Sequence, residues 1–352
     1  MKIAVALSGG VDSSVAAALL KKAGHDVFGI YMKNWSDTYE EKTGNCTWIE
    51  DRRDALAVAA HLNIPFKTVD CEKEYREFVL EYFYQEYQAG RTPNPDILCN
   101  RFMKFGILWE HAQKLGAEKM ATGHYAQVQE MSDGIFQLLK GIDDKKDQSY
   151  FLCRLTQEQL SRTLFPIGNL TKPQVRALAE EYQLPTAKKK DSQGICFIGK
   201  VQLKDFLQFR LPLKNGDVLD LSGKIVGSHH GAHTYTIGQR HGFTINNSSP
   251  ISEPWFIIRT NVKNNTITVA QGKQNPALFQ NKLSASNYHW ISRAPAFPFS
   301  CQAKVRYRQP NQNCTVLVNG SVEFEMPQRA ITPGQTIAFY ENNICLGAAI
   351  ID

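Results

Sequence analysis

The chain has 352 residues, enough for two or three domains that each have a hydrophobic core. It contains 40 lysine and arginine residues and 34 aspartate and glutamate residues, and the net charge of +6 permits a polyanionic partner without requiring one. No run of 18 apolar residues occurs, and a strand that begins at Lys2 leaves no room for a targeting segment, so we expect a cytoplasmic protein without membrane contact.

The eight cysteines do not form a recognisable metal or redox motif. None of them lie at C-x-x-C spacing, so the sequence predicts neither a zinc knuckle nor a thioredoxin-type site. In a cytoplasmic chain of this length they also do not indicate a disulfide scaffold. We expect most of them, including Cys46, to be structural, and we identify reactive ones by their surroundings.

A glycine loop, SGGVDSS at 8–14, lies between the first predicted strand and the first predicted helix. Unpaired N–H groups at a helix start, glycines that allow close approach, and serine hydroxyls together form an anion site. Asp12 would repel a bare phosphate, so it indicates a magnesium ion between its carboxylate and a pyrophosphate. The alternative is that Asp12 and Ser13 only cap the helix. We favour the anion site because all seven residues occur together directly after a strand.

The glycine loop is neither a Walker A sequence nor a dinucleotide fingerprint, because G-x-x-x-x-G-K-[ST] and G-x-G-x-x-G are both missing. It resembles the PP-loop of the ATP pyrophosphatases, which split ATP between its α- and β-phosphates. This resemblance implies an ATP site and leaves the second substrate open.

Strands and helices alternate along the next hundred residues. Strands are predicted at 27–32, 64–70 and 119–122, with helices between them. This rhythm predicts an α/β fold with a doubly wound parallel sheet, which binds ligands at the carboxyl ends of its strands. We expect backbone near Met32 and Gly123 to flank an adenosine, although each could also be an ordinary strand end.

The first candidate reactive cysteine follows a proline-rich approach at 91–96. The prolines end one helix and start another, with Asp96 as a plausible N-cap. Cys99 then falls in the first helical turn, where the helix dipole, Arg101 and Lys104 would lower the pKa of its thiol. A buried structural cysteine is the alternative, and the polar approach to Cys99 argues against a core position.

The second candidate, Cys196, lies in a glycine-bounded loop behind the three lysines 188–190. Such a loop can move and stay partly solvated, as a reactive thiol requires, and we expect 188–199 to be mobile without a bound substrate. A charged surface turn that leads into a buried Cys-Phe-Ile segment is an equally supported interpretation.

After the predicted helix 201–211 the composition changes, and short alternating runs appear at hairpin spacing. We predict a catalytic domain at 1–205, a small β-rich central domain at 206–278 and a C-terminal β-barrel at 279–352, a fold that often binds nucleic acid. A predicted strand at 300–308 alternates base and aromatic residues, Arg306, Tyr307 and Arg308, which suits phosphate pairing beside base stacking. A half-solvated strand is the alternative.

Eight motifs, taken in chain order, resemble one family along nearly the full length. They are SGGVDSS, NPDILCN around Cys99, GHYA at 123–126, KDQSYFL at 146–152, DSQGICFIG around Cys196, YTIGQR at 235–240, VRYRQ at 305–309 and TPGQ at 332–335. Together they resemble the tRNA-specific 2-thiouridylases. The resemblance implies a PP-loop catalytic domain, a small central domain and a tRNA-binding C-terminal β-barrel.

The implied activity converts the wobble uridine of tRNA to 2-thiouridine. ATP would adenylate the C2 carbonyl oxygen, Cys196 would carry persulfide sulfur as co-substrate, and Cys99 would free that sulfur and leave a Cys99–Cys196 disulfide. Asp96 matches a proposed acid/base residue, in competition with its role as a cap. No metal-ligand cluster is visible, so Mg²⁺ is expected only with ATP.

Binding residues of the family carry over onto matching positions of this sequence. ATP would contact Ala6, Leu7, Ser8, Gly9, Gly10, Val11, Asp12, Ser13, Met32 and Gly123. The target base and the rest of the tRNA would contact Asn94, Pro95, Asp96, His124, Lys146, Asp147, Gln148, Arg306, Tyr307 and Gln335. The implied partners are lysine, glutamate and glutamine tRNAs, and a cysteine desulfurase or sulfur-carrier protein.

Two other classes of function stay open on the sequence. Another PP-loop enzyme, such as an amide ligase or a different tRNA modifier, is possible, although a ligase has no use for two reactive cysteines. A non-catalytic RNA-binding protein that keeps ATP binding would need only the barrel. Pyrophosphate release that depends on tRNA would separate catalysis from the second class.

Overall fold

A computed structural model describes residues 1–35, 47–190, 203–246 and 253–352. Cys46, Cys196 and most of the predicted mobile loop at 188–199 lie outside the described residues. Within the described ranges, no helix combines the length and apolar character needed to cross a membrane.

The amino-terminal part alternates strands and helices. Its strands are β1 (Lys2–Ala6), β2 (Asp26–Lys33), β3 (Phe66–Asp70), β4 (Lys119–Ala121), β5 (Ala126–Glu130), β6 (Phe136–Lys140) and β7 (Thr163–Leu164). Its helices are α1 (Val11–Lys22), α2 (Thr47–His61), α3 (Glu72–Tyr75), α4 (Glu81–Gln88), α5 (Pro95–Leu98), α6 (Leu108–Lys114), α7 (Ser149–Leu152), α8 (Gln157–Ser161) and α9 (Lys172–Glu181). Two π-helical segments, Arg76–Leu80 and Cys99–Ile107, join α3 to α4 and α5 to α6.

Five parallel strands form the first sheet in the order β3-β2-β1-β4-β7. The chain leaves β1 toward β2 and later returns to β4 on the other side, so the strand order reverses between β1 and β4. Ligands of such sheets bind at this reversal, in the crevice at the carboxyl ends of the strands. The predicted doubly wound parallel sheet is confirmed, and the glycine loop follows β1 at the reversal.

Apolar residues of β1 alternate between the two faces of this sheet. Ile3 and Val5 are fully buried in a cluster with Ala17 of α1 and Ala55 of α2. Ala4 points to the opposite face, where the aromatic side chains of α3 and α4 form another cluster. Burial on both faces explains why β1 is a continuous apolar run.

A second sheet follows helix α10 (Leu203–Gln208). Its strands are β8 (Gly216–Leu219), β9 (Ile225–His229), β10 (Thr244–Ile245), β11 (Trp255–Asn261) and β12 (Thr266–Gln271), in the order β10-β9-β8-β12-β11. Val218, Ile257 and Ile267 are fully buried within it. The small β-rich central unit expected from the sequence is present.

The third unit is a closed antiparallel barrel. Its strands are β13 (Phe279–Trp290), β14 (Phe299–Lys304), β15 (Gln312–Val316), β16 (Ser321–Arg329), β17 (Thr336–Glu341) and β18 (Ile344–Ile351). They run in the order β13-β16-β15-β14-β17-β18, and the pairing of β13 with β18 closes the barrel. The predicted C-terminal β-barrel is confirmed, and β13 is a strand that the sequence pattern did not predict.

One predicted strand of this barrel is too long. The strand predicted at 300–308 ends at Lys304, and Arg306 and Tyr307 lie in the turn between β14 and β15. Arg308 has φ +64°, in the left-handed region, which a regularly paired strand does not adopt. The alternation of basic and aromatic residues is therefore a turn feature and does not place them on the two faces of a strand.

The hairpin of β5 and β6 joins the barrel to the amino-terminal part. β6 pairs antiparallel with β18, with Leu139 opposite Ile344, so that β5 and β6 extend the barrel sheet to eight strands. This pairing spans about two hundred residues of sequence and has no local signature. It fixes the segment between Tyr125 and Gln148 against the barrel.

Candidate active site

Gly9 allows the glycine loop to pack closely against α2. It has φ +75°, and a Cβ atom there would lie 2.2 Å from the backbone oxygen of Asp51. Any side chain would therefore strain the backbone and clash with α2. Gly10 is the N-cap of α1 and has no side chain to cap the helix, which leaves the first turn for a ligand.

The serines of the loop divide into two groups. Ser13 Oγ accepts a hydrogen bond from the backbone N–H of Ser8 at 3.2 Å and donates to the carbonyl of Gly10 at 3.1 Å. Ser14 is fully buried, where it donates to the same carbonyl and accepts from Thr186 Oγ1. The exposed Ser8 hydroxyl can thus line a phosphate site, whereas the buried Ser13 and Ser14 hydroxyls are engaged in hydrogen bonds of the fold.

Asp12 has a partner that the sequence did not indicate. Its Oδ1 and Oδ2 atoms lie 2.7 and 3.0 Å from the Nζ of Lys172, the first residue of α9. Tyr125 donates its hydroxyl to Asp12 Oδ1 at 2.8 Å. The carboxylate that was expected to require a metal ion is therefore already paired with a lysine.

The loop suits a magnesium ion only as a companion of phosphate. Within the described ranges, no three histidine, cysteine, aspartate or glutamate side chains are grouped to hold a metal. Mg²⁺ usually takes one or two carboxylates and completes its shell with water and substrate phosphates. Because Lys172 already faces both oxygens of Asp12, phosphates and water would supply most of the ligands of such an ion.

The end of β4 touches the first turn of α1. A Cβ atom on Gly123 would lie 2.5 Å from the backbone nitrogen of Ser13, so only glycine fits there. Two residues later, the backbone N–H of Tyr125 donates to Gln148 Oε1 at 3.0 Å. Tyr125 thereby links the glycine loop, through Asp12, to the segment that contains Gln148.

His124 is a buried, neutral histidine. Its ring packs between Phe105 and Phe165, with centroid separations of 6.1 and 5.9 Å, and its Nδ1 lies 2.7 Å from Thr122 Oγ1. Burial, with a contribution from the charge of Lys104, lowers the pKa of His124 well below its ordinary value. Because Phe105 belongs to the π-helical segment that begins at Cys99, His124 connects β4 to the helix of this cysteine.

Two expectations about Cys99 are wrong. Asn94, with extended backbone, is the N-cap and Pro95 takes the first helical position, so Asp96 does not cap the helix. Cys99 is consequently the fifth helical residue and lies beyond the first turn. It is 1% exposed and lies in the core cluster against which Ala6 and Met32 also pack, because it shares a helix face with Met103.

The KDQSYFL segment is fixed by buried polar contacts. Asp147 is buried and accepts hydrogen bonds from the N–H groups of Gly141 and Ser149 at 3.2 and 3.0 Å, and its Oδ2 lies 3.4 Å from the Nζ of Lys304 at the end of β14. Asp147 thus positions this segment beside the barrel. Lys146 is half-buried next to it.

Neighbouring contacts fix Asn94 and Tyr307. Asn94 is hydrogen-bonded to the hydroxyl of Tyr150, which donates to the carbonyl of Thr336 in β17 at 2.7 Å. The ring of Tyr307 lies 4.4 Å from that of Phe151. The segments around 94, 150 and 307, distant in sequence, therefore contact one another.

Arg306 and Gln335 lie where the three units meet. Arg306 donates to the carbonyls of Ile237 and Ala330 at 3.2 and 2.6 Å, and Gln335 donates to those of Thr92 and Pro93 at 2.9 and 3.3 Å. A cavity of about 360 Å³ opens at this junction. It is lined by Thr236, Ile237, Gly238, Gln239, Arg306, Thr332 and Gln335.

The described candidate residues fall on segments that the fold brings into contact. The glycine loop, the end of β4 and Gln148 are joined by hydrogen bonds, and Cys99 lies on the helix that packs against His124. Sequence reasoning missed Lys172 and the hydroxyl of Tyr125, which are 160 and 113 residues from Asp12. Tyr125 lies within the GHYA motif, whereas Lys172 had no local signal beyond its place at a helix start.

Family models match all three units of the chain. Residues 1–200 match the model described as a tRNA methyl transferase HUP domain, residues 204–271 match its PRC-barrel domain, and residues 280–351 match an aminomethyltransferase beta-barrel domain. Among solved structures, the NMN synthetase of Francisella tularensis overlaps with a TM-score of only 0.35, at 20% identity over 58% of this chain and 70% of that chain.

Curated relatives match along the whole length. The tRNA-specific 2-thiouridylase MnmA of Streptococcus sanguinis is 49% identical over 100% of this chain and 95% of the relative. The protein of the same name from Halalkalibacterium halodurans is 51% identical over 100% of this chain and 94% of the relative. This identity of about half over the full length shows that the chain belongs to the tRNA-specific 2-thiouridylase family.

Proposed function

We propose that this chain converts the wobble uridine of tRNA to 2-thiouridine in an ATP-dependent reaction. One observation carries the proposal beyond family membership. Tyr125 donates its hydroxyl to Asp12 and its backbone N–H to Gln148, and these hydrogen bonds join the phosphate-binding loop to a segment that matches tRNA contacts of the family. A site that activates a base with ATP requires this proximity.

The first chemical step activates the base. A uridine C2 carbonyl is a poor electrophile because its oxygen is a poor leaving group. The oxygen attacks the α-phosphorus of ATP, pyrophosphate leaves, and the oxygen becomes part of AMP. The uncapped first turn of α1 stabilises the negative charge on the leaving pyrophosphate. A magnesium ion bound with ATP would neutralise phosphate charge at the same place.

The second step delivers sulfur. The thiolate of Cys99 attacks the inner sulfur of a Cys196 persulfide, forming a Cys99–Cys196 disulfide and releasing hydrosulfide. Hydrosulfide adds to C2, and AMP leaves with the original oxygen. A reductant then restores both thiols, and Asp96 serves as acid or base in the transfer. Because Cys99 is 1% exposed, the transfer takes place in a site closed to solvent.

Binding of tRNA is assigned to the junction of the three units. Asn94, Pro95 and Asp96 lie on one side of it and Arg306, Tyr307 and Gln335 on the other. Of the remaining residues assigned to tRNA, Lys146 supplies positive charge for a phosphate. His124 and Asp147 are buried, and they hold their segments in position. Lysine, glutamate and glutamine tRNAs are the proposed substrates, and a cysteine desulfurase or a sulfur-carrier protein is the proposed donor.

Nucleoside mass spectrometry tests the proposal. An unmodified lysine-tRNA transcript is incubated with the protein, Mg-ATP and a persulfide donor, and its nucleosides are analysed. We expect 2-thiouridine only when ATP is present. If AMP and pyrophosphate form without sulfur in the tRNA, this substrate is wrong; if neither ATP cleavage nor thiolation occurs, the proposed activity is wrong.

Cys71→Ser provides a matched control for Cys99→Ser. Both thiols are buried in the same core cluster, so both substitutions place a hydroxyl in a similar apolar setting. We expect Cys99→Ser to abolish thiolation from a persulfide donor and to retain thiolation from free sulfide, which bypasses the step assigned to Cys99. Equal loss in both variants would contradict the assigned role of Cys99.

A further inference from the structure

We infer that Lys172 is a phosphate-binding residue of the ATP site and that Asp12 acts by holding Lys172 in place, not as a carboxylate ligand of a metal ion. This inference rests on the proposed function only in requiring an ATP site at the glycine loop. The inference adds the ammonium group of Lys172 to the phosphate site of the glycine loop. Lys172 is on a helix that begins 160 residues after Asp12.

Lys172 is fixed at both ends. Its backbone N–H donates to Asp143 Oδ2 at 2.9 Å, and its Nζ lies 2.7 Å from Asp12 Oδ1. Thr171, directly before it, forms a capping box with Gln174 that sets the start of α9. The ammonium group is thereby held at the first turn of α1, where a phosphate would bind.

Asp12 is in turn oriented by Tyr125. The Tyr125 hydroxyl donates to the same oxygen that faces Lys172, and the Lys172 ammonium lies 5.9 Å from the centre of the Tyr125 ring. Both carboxylate oxygens of Asp12 are engaged in this arrangement. A metal ion bound directly to Asp12 would have to share the carboxylate with the lysine ammonium, whose charge repels it, whereas the same charge attracts a phosphate.

Electrostatics favour this assignment. A pyrophosphate next to an unpaired Asp12 would be repelled, and the paired lysine removes that repulsion. An ammonium group carries three N–H donors, so a lysine can contact a carboxylate and a phosphate oxygen together. The uncapped start of α1 adds its positive dipole end to the same region.

A purely structural ion pair between α1 and α9 explains the contact less well. The helices are already joined by apolar packing of Val15 with Val175 and Ala179. At their other ends, Lys22 and Glu181 form a surface pair 3.7 Å apart, with side chains 67% and 60% exposed. The pair of Lys172 and Asp12 is 13% and 31% exposed, and burying charges costs stability that packing alone does not require.

The test measures ligand binding without tRNA, so that its outcome does not depend on thiolation. Equilibrium dialysis gives the dissociation constants of ATP and of inorganic pyrophosphate over a series of Mg²⁺ concentrations. Loss of one charge-assisted hydrogen bond to phosphate corresponds to about tenfold or more in affinity. We expect that loss for Lys172→Met, a smaller one for Lys172→Arg, and no change for Lys22→Met, which removes a lysine from the same helix pair.

Asp12→Asn separates the two roles of Asp12. If Asp12 holds Lys172, the variant binds ATP more weakly at every Mg²⁺ concentration, and the Mg²⁺ concentration at half-maximal binding stays the same. The double variant Asp12→Asn with Lys172→Met should then lose little more than Lys172→Met alone, because both act through one contact. Circular dichroism and thermal unfolding confirm that each variant is folded.

Three results would overturn the inference. They are wild-type affinity in a folded Lys172→Met variant, a shift of the Mg²⁺ midpoint in Asp12→Asn, and full additivity in the double variant. If the unaltered protein binds neither ATP nor pyrophosphate, the inference and the proposed function both fail. If it binds ATP through Lys172 but thiolates no tRNA, only the proposed function fails.

Discussion

Cys99 shows how a polar sequence context can surround a buried residue. The approach at 91–96 is rich in proline and polar side chains, yet Cys99 is 1% exposed. The polar groups of this approach are used in contacts between units, such as the hydrogen bond of Gln335 to the carbonyl of Thr92. The helix that follows turns Cys99 away from them and into the core.

Alkylation should therefore report on access to Cys99. In the free protein, we expect iodoacetamide to modify half-buried Cys301 much faster than Cys99, because the reagent reaches Cys99 only when the residues that cover its thiol move. Adding tRNA and ATP should accelerate modification of Cys99. Peptide mass spectrometry measures both rates.

Buried Cys153 is the control for general unfolding. Burial raises the pKa of Cys153 to about 12, so it should stay unmodified throughout. Equal rates at Cys99 and Cys301 in the free protein would contradict the buried placement. Identical rates with and without tRNA would contradict the proposed opening.

At the scale of elements, the loop before β17 positions the segment that leads to Cys99. Gly334 has φ +85°, and a Cβ atom there would lie 2.9 Å from both the Cβ of Arg91 and the nitrogen of Thr92. The N–H of Thr92 donates to the carbonyl of Pro333 at 2.8 Å, and Thr92 Oγ1 lies 3.1 Å from Thr236 Oγ1. All three units thus meet beside the helix of Cys99.

Gly334→Ala should weaken this junction more than its backbone strain explains. Gly223 has the same φ of +85°, and nothing lies within 4 Å of its added Cβ, so Gly223→Ala carries the strain without the clash. We expect about 1–2 kcal/mol of destabilisation from strain in both variants and a further loss in Gly334→Ala. Urea unfolding measures the stability.

The thiolation rate of the same two variants reports on the site. Displacing Thr92 should move the helix of Cys99, so we expect Gly334→Ala to lose activity and Gly223→Ala to keep it. Equal stability and activity in both would show that the junction tolerates the extra methyl group.

A pair of thiols lies on β14 and β15, the two strands that the turn with Arg306 and Tyr307 connects. Cys301 and Cys314 are directly opposite each other on β14 and β15, with their Sγ atoms 3.8 Å apart. Rotation of the two side chains can bring the sulfurs to bonding distance. We expect oxidised glutathione to convert both thiols to one disulfide, with release of two reduced glutathione molecules.

Peptide mapping without reductant detects this cross-link. Cys345, which is on β18 with Tyr340 opposite it, serves as the control that should stay a thiol. Recovery of Cys301 and Cys314 as separately alkylated peptides after oxidation would refute the expected pairing.

At the scale of the whole molecule, buried and half-buried histidines couple stability to pH. Burial lowers the pKa of His124, His229, His233 and His289 below the ordinary value of 6.5. In the unfolded chain these groups take up protons near pH 6.5, so the unfolded state binds more protons as the pH falls. Their stabilising contribution is complete above that pH and is lost below it.

The free energy of unfolding should fall as the pH is lowered from about 7.5 to 5.5, by up to about 1.4 kcal/mol per pH unit for each histidine. Urea unfolding at a series of pH values measures the slope. His124→Gln removes one titrating group, so it should reduce the slope of free energy against pH by up to about 1.4 kcal/mol per pH unit. A free energy that is constant or increases over this range would contradict the expectation.

Local sequence determined the elements that depend on neighbouring residues. The glycine loop, the parallel strands before and after it, and the capping box at Thr171 each rest on short-range patterns of apolar, glycine and polar residues. The eight motifs in their order also sufficed to identify the family, because they occur together over nearly the whole chain.

Only the tertiary structure decided which distant groups meet. The pairing of Asp12 with Lys172, the burial of Cys99, and the addition of β6 to β18 join residues far apart in sequence. Local propensity and periodicity reach only a few residues along the chain, whereas these contacts are set by strand order and helix packing. The sequence therefore determined the residue types of the site, and the fold determined how their charges are paired and which thiol is covered.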